Sequence, residues 1–314
     1  MKPRVVLTRR IFDELLPRFA ECELVDNQAD TLLDSAELTA RLKGAHVLMC
    51  GPTDRIDAGL IDAADRLRAI CNVAVGHNNI DLATCRARGI IVTNTPDVLT
   101  DTTADLAFGL LLATARRITE SELWLRGGHW QRWDLEQMLG RDVHHSTLGI
   151  VGMGRIGGAI ARRAAGFSMR VIYHNRSRVV EEHGAQWVDK ARLLAEADHV
   201  MLVLPYTPEN HHYIGAAELA LMKPTAALIN IARGGIVDDE ALAQALQAGQ
   251  IAAAGLDVFE HEPKVHPGLL ACRNVVLTPH IGSASKAARL AMANLAIDNC
   301  LAILAGKKPL TPVT

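Results

Sequence analysis

Residues 148–157 read Leu-Gly-Ile-Val-Gly-Met-Gly-Arg-Ile-Gly, a strand-like apolar run that leads into a glycine-rich turn and a helical pattern over 158–165. In such a unit Gly152 permits the tight turn, Gly154 lets a pyrophosphate approach the backbone, and Gly157 lets helix and strand pack closely. The helix N-terminus offers free N–H groups to phosphate. The stretch therefore predicts a Rossmann dinucleotide-binding domain, whose turn contacts the cofactor through Gly152, Gly154, Arg155, Ile156 and Gly157.

A basic loop follows the next predicted strand, 170–174. NAD-binding enzymes place an acid about 20 residues beyond the glycines, where it binds the ribose hydroxyl. This sequence has Asn175, Arg176, Ser177 and Arg178 at that place instead. Arginines suit the 2′-phosphate of NADP, to which they donate charge-assisted hydrogen bonds. We therefore expect NADP to be preferred over NAD, with these four residues contacting the cofactor; a solvated basic loop is the alternative.

Strand-like runs alternate with helical patterns on both sides of the glycine turn, which predicts parallel sheets with crossover helices. We expect an α/β fold of two doubly wound parallel-sheet domains. The predicted strands are 4–8, 46–50, 67–73 and 90–93 in the first series, and 148–151, 170–174, 199–204, 226–231, 251–256 and 275–278 in the second.

Helical patterns fill the intervals between the strands of the first series, at 11–20, 56–64 and 82–88. A longer helix is predicted over 102–125, with Asp101 or Thr102 as its cap and Gly127–Gly128 at its end. The last stretch, 285–305, repeats apolar residues at helical spacing. No internal repeat or low-complexity tract is expected to interrupt the two domains.

The composition excludes several classes of protein. A chain of 314 residues exceeds the size at which one core stops growing, and 49% hydrophobic content can fill two. A net charge of −2 gives no overall attraction to nucleic acid or to an acidic membrane. The apolar run at 5–7 is too short for a signal peptide. Six scattered cysteines without a Cys-x-x-Cys pair fit a reducing compartment, so a cytoplasmic location is expected.

Three further segments place reactive side chains directly after predicted strands. Arg233 follows 226–231, Glu260 and Glu262 follow 251–256, and His280 follows 275–278. Singly, each has an ordinary explanation as a surface charge, a loop cap or a structural histidine. Because ligands bind at the carboxyl ends of strands in open α/β sheets, their shared placement beyond a dinucleotide motif favours a catalytic site.

With these segments the sequence resembles the D-isomer-specific 2-hydroxyacid dehydrogenase family, and within it most resembles bacterial 2-ketogluconate reductases that also serve as glyoxylate/hydroxypyruvate reductases. The resemblance covers almost the whole chain and is densest over 142–283. It is carried by Asp-Val-His-His-Ser-Thr-Leu-Gly at 142–149, Ile-Ala-Arg-Gly at 231–234, Gly-Leu-Asp-Val-Phe-Glu at 255–260 and Pro-His-Ile-Gly-Ser at 279–283.

The resemblance implies a domain arrangement and an activity. Residues 1–99 and 283–314 would form a flavodoxin-like substrate domain, into which the cofactor domain, 100–282, is inserted. The protein would reduce small 2-keto acids to D-2-hydroxy acids, and a homodimer is expected. Two alternatives stay open: a nucleotide-sensing corepressor, disfavoured because the chain ends soon after its last helix, and a phosphite or formate dehydrogenase on the same scaffold.

The resemblance also implies the roles of individual residues. Arg233 would hold the substrate carboxylate and carbonyl, and His280 would be the acid/base. Glu262 would lie against the other ring nitrogen of His280. The backbone N–H groups of Val75 and Gly76 would bind the carboxylate, although His77 and Asn78 depart from the family pattern there. Further cofactor contacts are implied for Thr103, Leu204, Pro205, Ala232, Asp257, His280 and Gly282.

The chemistry of these side chains agrees with the implied roles. Hydride attack on a ketone leaves negative charge on oxygen, and histidine is suited to deliver a proton there. An anionic Glu262 would favour the protonated imidazole and fix its orientation. Arginine meets a carboxylate in a two-pronged geometry that lysine cannot match.

No metal site is expected. The adjacent pairs His144–His145 and His211–His212 lack the i, i+4 spacing of helical ligands, and no cysteine or acid cluster accompanies them in sequence. Three tryptophans are interpreted as packing residues near a domain or subunit junction, with Trp133 able to reach a neighbouring subunit's active site: Trp124, Trp130 and Trp133.

Overall fold

The computed structural model describes residues 2–314. The chain forms two compact units, which we call the terminal unit, Met1–Leu99 with Ala284–Thr314, and the central unit, Thr100–Ser283. Met1, the first residue of the predicted substrate domain, lies outside the described residues. Both units are built on parallel sheets, so the predicted α/β class with one domain inserted into the other is confirmed.

The terminal unit contains a five-stranded parallel sheet in the order β2-β1-β3-β4-β5. This is the flavodoxin-like strand order. The strands are β1 (Arg4–Leu7), β2 (Glu23–Val25), β3 (Val47–Cys50), β4 (Ala69–Asn72) and β5 (Ile91–Thr93), and the helices are α1 (Ser35–Leu42), α2 (Ala58–Ala63), α3 (Leu82–Ala87) and α11 (Lys286–Leu304).

Helices cover both faces of this sheet. Successive residues of each strand point to opposite faces, so neighbouring residues enter different buried clusters. Val6 and Leu48 pack in one buried cluster with α1 and α2. Val5 and Val47 pack in the other with Ile297 of α11. The last helix thereby belongs to the first unit of the chain.

Helix α11 is the one described helix that is long and apolar enough to cross a membrane, with 19 residues and a mean hydropathy of 1.4. Length and composition alone meet that test, and a buried core helix meets it equally. Ala293, Ile297, Cys300 and Ile303 of α11 are buried in the cluster that contains strands β1, β3 and β4. The apolar character of α11 is therefore explained by packing within the terminal unit.

The central unit contains a seven-stranded parallel sheet in the order β12-β11-β10-β9-β6-β7-β8. Counted from its own first strand, this is the Rossmann order, which reverses between β6 and β9. The strands are β6 (Thr147–Val151), β7 (Arg170–His174), β8 (Gln186–Trp187), β9 (His199–Leu202), β10 (Ala227–Asn230), β11 (Ala253–Leu256) and β12 (Val275–Leu277).

Helices cover both faces of the central sheet. Ile160 and Leu111 pack in one buried cluster with Ile150 of β6, whereas Leu193 and Leu242 pack in the other. The helices are α4 (Thr100–Ala115), α5 (Ile118–Arg126), α6 (Arg155–Ala165), α7 (Lys190–Glu196), α8 (Ala216–Leu219), α9 (Asp239–Gln247) and α10 (Pro267–Ala271).

The single helix predicted over 102–125 is wrong. The structure has α4 and α5, separated at Arg117, whose φ is +54°. A later segment of the chain packs against the end of α4 here. The Arg141 N–H donates to the Ala115 carbonyl at 2.8 Å, and Gly140 packs against the backbone of Ala115 and Arg116. Helix α4 begins at Thr100, so the predicted caps, Asp101 and Thr102, lie inside its first turn.

Other differences are local. The helix predicted over 11–20 is a 3-10 helix, Asp13–Phe19, because Pro17 lies within it and supplies no N–H. Strands β2 and β8 and helices α1 and α10 are additional to the predicted elements. Both strands are short and lie at sheet edges with little burial, so they lack a continuous apolar run.

Candidate active site

Loops from six parallel strands of the central unit meet at one edge of its sheet. Because the strands are parallel, their carboxyl ends share that edge, and the order reverses there between β6 and β9. Most of the predicted site residues lie in these loops, at 152–157, 175–178, 203–205, 231–233, 257–262 and 278–282.

The glycine turn after β6 has the geometry that its sequence predicts. Gly152 has a φ of +103°, and a Cβ there would lie 2.7 Å from the backbone of Val203. A Cβ on Gly157 would lie 2.2 Å from the Gly152 carbonyl oxygen. Gly154 precedes α6, and a Cβ on it would meet nothing within 4 Å among the described atoms. The turn therefore leaves room for phosphate at the N-terminus of α6, where Arg155 and Ile156 begin the helix.

Asn175 joins the basic loop to the glycine turn. Its Oδ1 accepts a hydrogen bond from the Met153 N–H at 2.7 Å, so the amide holds the two loops together. Arg176 and Ser177 are exposed. Arg178 donates to Glu182 at 3.2 Å, and is therefore already paired with an acid. Of the two arginines expected to contact a 2′-phosphate, Arg178 is thus paired with Glu182, while the charge of Arg176 acts on Glu209.

The loop after β9 lies against the glycine turn. The backbone of Val203 and Leu204 approaches Gly152 so closely that only glycine fits there. Leu204 thus adjoins the turn through its backbone nitrogen, and Pro205 follows it directly in the chain. Thr103 is buried in α4, and its side chain lies beside Gly282 in the loop after β12.

His280 and Glu262 form a hydrogen-bonded pair. The distance from His280 Nδ1 to Glu262 Oε2 is 2.8 Å, and the second carboxylate oxygen accepts from the Phe259 N–H at 3.0 Å. Burial alone would raise the pKa of Glu262, but the hydrogen bond and charge of His280 lower it overall. Glu262 is therefore an anion at neutral pH, and the Nε2 atom of His280 is left for another partner.

Arg233 lies next to this pair at the end of β10. Its Nη1 donates to the Ala232 carbonyl at 2.8 Å. Burial lowers the pKa of Arg233, while the carboxylates of Glu262 and Asp257 oppose that shift, so the side chain remains a cation. A Cβ on Gly234 would lie 1.7 Å from the Phe259 carbonyl oxygen, so the loops after β10 and β11 are in direct contact.

Asp257 is 1% exposed and holds the loop that carries His280. One carboxylate oxygen accepts from the Thr278 hydroxyl and the Ile281 N–H, both at 2.7 Å, and the other accepts from the Gly282 N–H at 2.8 Å. Burial raises the pKa of Asp257 even against these donors. The carboxylate thus has three donors from its own unit, whereas the sequence predicts only a contact to the cofactor.

Val75 and Gly76 belong to the terminal unit, in the loop after β4. The Val75 carbonyl accepts from Asn94 and the Gly76 carbonyl accepts from Asn72, each at 2.8 Å. Asn72 is fully buried at the end of β4. The conformation of this loop is therefore fixed through its carbonyl groups by two asparagine side chains.

Sequence reasoning missed Asn230, the last residue of β10. Its Oδ1 accepts from the Ala232 N–H at 3.0 Å, and its Nδ2 donates to the Arg233 carbonyl at 3.4 Å. Asn230 is 2% exposed, and it shapes the turn that presents Arg233. A polar amide within the apolar run 226–231 was the available signal.

No acid cluster accompanies His211 and His212 in sequence, but the fold brings two acids to them. Glu260 Oε1 lies 2.9 Å from His212 Nε2, and Asp238 Oδ2 lies 3.6 Å from His212 Nδ1. Both acids come from loops distant in sequence. The pair His144–His145 is exposed, with Asp142 at 4.0 Å from His144.

Comparisons with known proteins agree with this geometry. The family model for the D-isomer specific 2-hydroxyacid dehydrogenase NAD binding domain matches residues 108–282. A glyoxylate reductase of Thermococcus onnurineus is 47% identical, with 100% of this chain and 96% of that enzyme covered. A Thermus thermophilus protein of solved structure is 45% identical with a TM-score of 0.93, covering 99% of this chain and 100% of its own.

A solved structure with a bound cofactor is also similar. The NADPH-dependent glyoxylate/hydroxypyruvate reductase of Sinorhizobium meliloti, in complex with NADP and malonate, is 37% identical with a TM-score of 0.91. The match covers 100% of this chain and 97% of that one. The similarity therefore extends over both units and not only over the dinucleotide-binding motif.

Proposed function

The chain belongs to the D-isomer specific 2-hydroxyacid dehydrogenase family, and on that premise we propose that it reduces glyoxylate, hydroxypyruvate and related small 2-keto acids, including 2-ketogluconate, to D-2-hydroxy acids with NADPH. Membership makes the protein an NAD(P)-dependent oxidoreductase of keto acids. The observation that carries the finer proposal is the 2.8 Å hydrogen bond between His280 and Glu262, with Arg233 beside it.

The residues of the central unit fit a dinucleotide. The open space at Gly154 and the N-terminus of α6 suit a pyrophosphate, and the loop 203–205 adjoins the turn. Bound there, the nicotinamide supplies a hydride to the carbonyl carbon. We assign the remaining contacts along the sheet edge to Thr103, Leu204, Pro205, Ala232, Asp257, His280 and Gly282.

His280 is our candidate for the proton donor. Reduction places negative charge on the carbonyl oxygen, which must receive one proton to become the hydroxyl. The Nδ1 atom faces Glu262, so Nε2 is the atom that delivers the proton. Glu262 stabilises the protonated ring before the transfer and fixes its orientation. The reverse reaction uses the same atom as a base.

Arg233 is our candidate for binding the substrate carboxylate. It is a cation that the neighbouring loop and Asn230 hold in place. A planar guanidinium donates two parallel hydrogen bonds to a carboxylate. We assign the same ligand group to the backbone N–H groups of Val75 and Gly76 in the terminal unit.

The preference for NADPH rests on the loop 175–178. A carboxylate is missing at residue 175, and the Asn175 side chain is committed to the glycine turn. Arg176 is exposed and is our candidate for the 2′-phosphate. NAD would be accepted more weakly because it lacks that phosphate.

We also propose a homodimer and a cytoplasmic location. Apolar side chains between residues 118 and 139 of the central unit are exposed, among them Leu123, Trp133 and Leu135. Large exposed apolar patches mark association surfaces. In the described chain all six cysteines are free, as suits a reducing compartment.

The test is turnover by the purified protein, followed through NADPH absorbance, against glyoxylate, hydroxypyruvate, 2-ketogluconate, pyruvate and phenylpyruvate. We expect glyoxylate and hydroxypyruvate to be reduced with the highest catalytic efficiency and D-2-hydroxy acids to be formed. Phosphite and formate are assayed in parallel with NADP⁺, because a phosphite or formate dehydrogenase is the alternative on the same scaffold. Turnover of either in place of the keto acids, or no turnover at all, would contradict the proposal.

A further inference from the structure

The central unit contains a second cluster of titratable side chains that shares no residue with the His280–Glu262 pair. One potential ligand atom from each of His211, His212 and Glu260 lies within 4.8 Å of the other two. We propose that these three side chains bind a divalent transition-metal ion, with Zn²⁺ as the reference ion. The proposal does not depend on the reaction that the protein catalyses.

His212 is positioned as a metal ligand with an acid behind it. Its Nε2 lies 2.9 Å from Glu260 Oε1, and its Nδ1 lies 3.6 Å from Asp238 Oδ2. Histidines that bind metals commonly donate the second ring N–H to a carboxylate, which fixes the tautomer. Asp238 can be the carboxylate that accepts this N–H from His212 Nδ1. The Nε2 atom of His212 and the carboxylate of Glu260 can then bind one ion together.

His211 supplies the third ligand from an exposed position. Its ring stacks on that of His212, with centroids 3.9 Å apart and an angle of 23° between the planes. Its Nδ1 lies 3.3 Å from the Tyr206 hydroxyl. The two ring planes are nearly parallel, so their nitrogen lone pairs do not converge on one point. Binding of one ion by both rings therefore requires the exposed His211 side chain to rotate out of the stack and to release the Tyr206 hydroxyl.

The backbone that carries these ligands is held by several hydrogen bonds. The His212 N–H donates to the Gly235 carbonyl at 2.7 Å, and the Asp238 N–H donates to the Ile214 carbonyl at 3.0 Å. The Glu260 N–H donates to the buried Asp239 at 3.1 Å. Asp238 also caps α9 through its other carboxylate oxygen. The loops after β9, β10 and β11 are thus tied together before any ion binds.

The donor set favours a borderline ion. Two imidazole nitrogens and one carboxylate oxygen suit Zn²⁺, Co²⁺, Ni²⁺ or Cu²⁺, and fit hard ions such as Mg²⁺ poorly. Three protein ligands leave a fourth tetrahedral position for water. Without an ion, His212 Nε2 contacts Glu260 Oε1 directly at 2.9 Å, and a bound ion would replace that contact.

The experiment is titration of the chelator-treated full-length protein with Co²⁺, followed by visible absorption, and with Zn²⁺ by calorimetry. We expect one ion per chain, with the absorption of a tetrahedral nitrogen and oxygen site and no sulfur-to-cobalt band. His211→Asn and Glu260→Gln should each weaken binding by more than the roughly 10- to 100-fold expected when an outer partner is lost. Asp238→Asn should weaken metal binding by an amount within that range, because Asp238 is an outer partner and not a ligand.

The matched control is the double variant His144→Asn with His145→Asn, which removes another exposed adjacent histidine pair of the same unit. It should bind the ions like the wild type. Circular dichroism and thermal unfolding of each metal-free variant verify that the fold is retained. Wild-type affinity in folded His211→Asn and Glu260→Gln, loss in the control, or no saturable binding to the wild type would each overturn the proposal.

Discussion

His280 combines an unusual backbone conformation with a tightly held environment. Its φ is +52°, a left-handed conformation that costs a non-glycine residue on the order of 1 kcal/mol or more. Its N–H donates to the Asp257 and Thr278 carbonyls, and Asp257 holds the residues on both sides through its carboxylate. The surrounding hydrogen bonds therefore hold the backbone that carries the imidazole in this one conformation.

The first prediction is that His280→Gln removes most turnover and leaves cofactor binding nearly intact. Loss of general acid catalysis costs roughly 10²- to 10⁴-fold in rate, while the glycine turn is unchanged. Steady-state turnover and fluorescence titration with NADPH measure the two effects separately. Turnover within about threefold of wild type would rule out the assigned role.

The second prediction concerns the pH–rate profile of Glu262→Gln. Burial would raise the pKa of Glu262, but the hydrogen bond and charge of His280 lower it overall, so an anion lies against Nδ1 of the ring at neutral pH. Glutamine carries no charge, so the alkaline limb of the profile should move to lower pH. A limb at the wild-type position would show that the 2.8 Å pair does not affect the reacting proton.

The same variant also yields a prediction for stability. Because the folded pKa of Glu262 is below its unfolded value of about 4.3, its contribution is complete above that pH and is lost as the pH falls through the folded value. Urea unfolding should show Glu262→Gln to be less stable than the wild type at pH 7. The difference should narrow when the pH is lowered below about 4. A constant difference would contradict the linkage.

At the scale of elements, we propose that the loop after β7 sets the cofactor preference. Each charge-assisted hydrogen bond contributes about 1.5 to 3 kcal/mol, and about 1.4 kcal/mol is tenfold in efficiency. We predict that the wild type prefers NADPH by roughly tenfold or more, and that Arg176→Ala weakens NADPH alone. Catalytic efficiency with both cofactors at one low salt concentration measures the effect.

Arg178→Ala is the matched control because Arg178 already donates to Glu182. It should change the preference less than Arg176→Ala does. If the Arg176 variant lost catalytic efficiency equally with both cofactors, or if the wild type favoured NADH, the loop would be a solvated basic segment and the prediction would be wrong.

Elements were predictable where periodicity and burial agree. Strands such as β3 and β12 are continuous apolar runs within a parallel sheet, so composition alone reveals them. The break between α4 and α5 was not predictable because residues 112–125 keep a helical pattern. The chain bends there since Arg141 and Gly140, distant in sequence, dock on Ala115.

At the scale of the whole molecule, helix α5 has the features of an association surface. None of its residues described by the structure is buried, and Leu123 is 69% exposed. Leu135, farther along the same segment, is 76% exposed. We predict that the wild type sediments at twice the 34.0 kDa chain mass. Leu123→Glu combined with Leu135→Glu should shift it toward the monomer.

Val180→Glu serves as the control for that experiment. Val180 is fully exposed and lies outside the 118–139 segment, in the loop after β7. It should leave the sedimentation of the wild type unchanged. A monomeric wild type, or a double variant that sediments as the wild type does, would contradict the proposed dimer surface.

The sequence by itself determined the Rossmann unit, the two parallel-sheet domains and the candidate residues Arg233, Glu260, Glu262 and His280. The resemblance to a family singled out Glu262 from the two acids. Glycine spacing and apolar runs are local features, and the carboxyl ends of parallel strands share one edge by geometry alone. The resemblance to a family added the return of the last helix to the first domain, which no periodicity encodes.

Only the tertiary structure decided which polar groups meet. Asp257 holds the His280 loop, Asn175 holds the glycine turn, and Glu260 reaches His212 across 48 positions of sequence. These contacts depend on strand order and loop packing, and side-chain hydrogen bonds form only within a few ångströms. A linear pattern does not record such distances, so the supporting residues of the site appear only once the chain is folded.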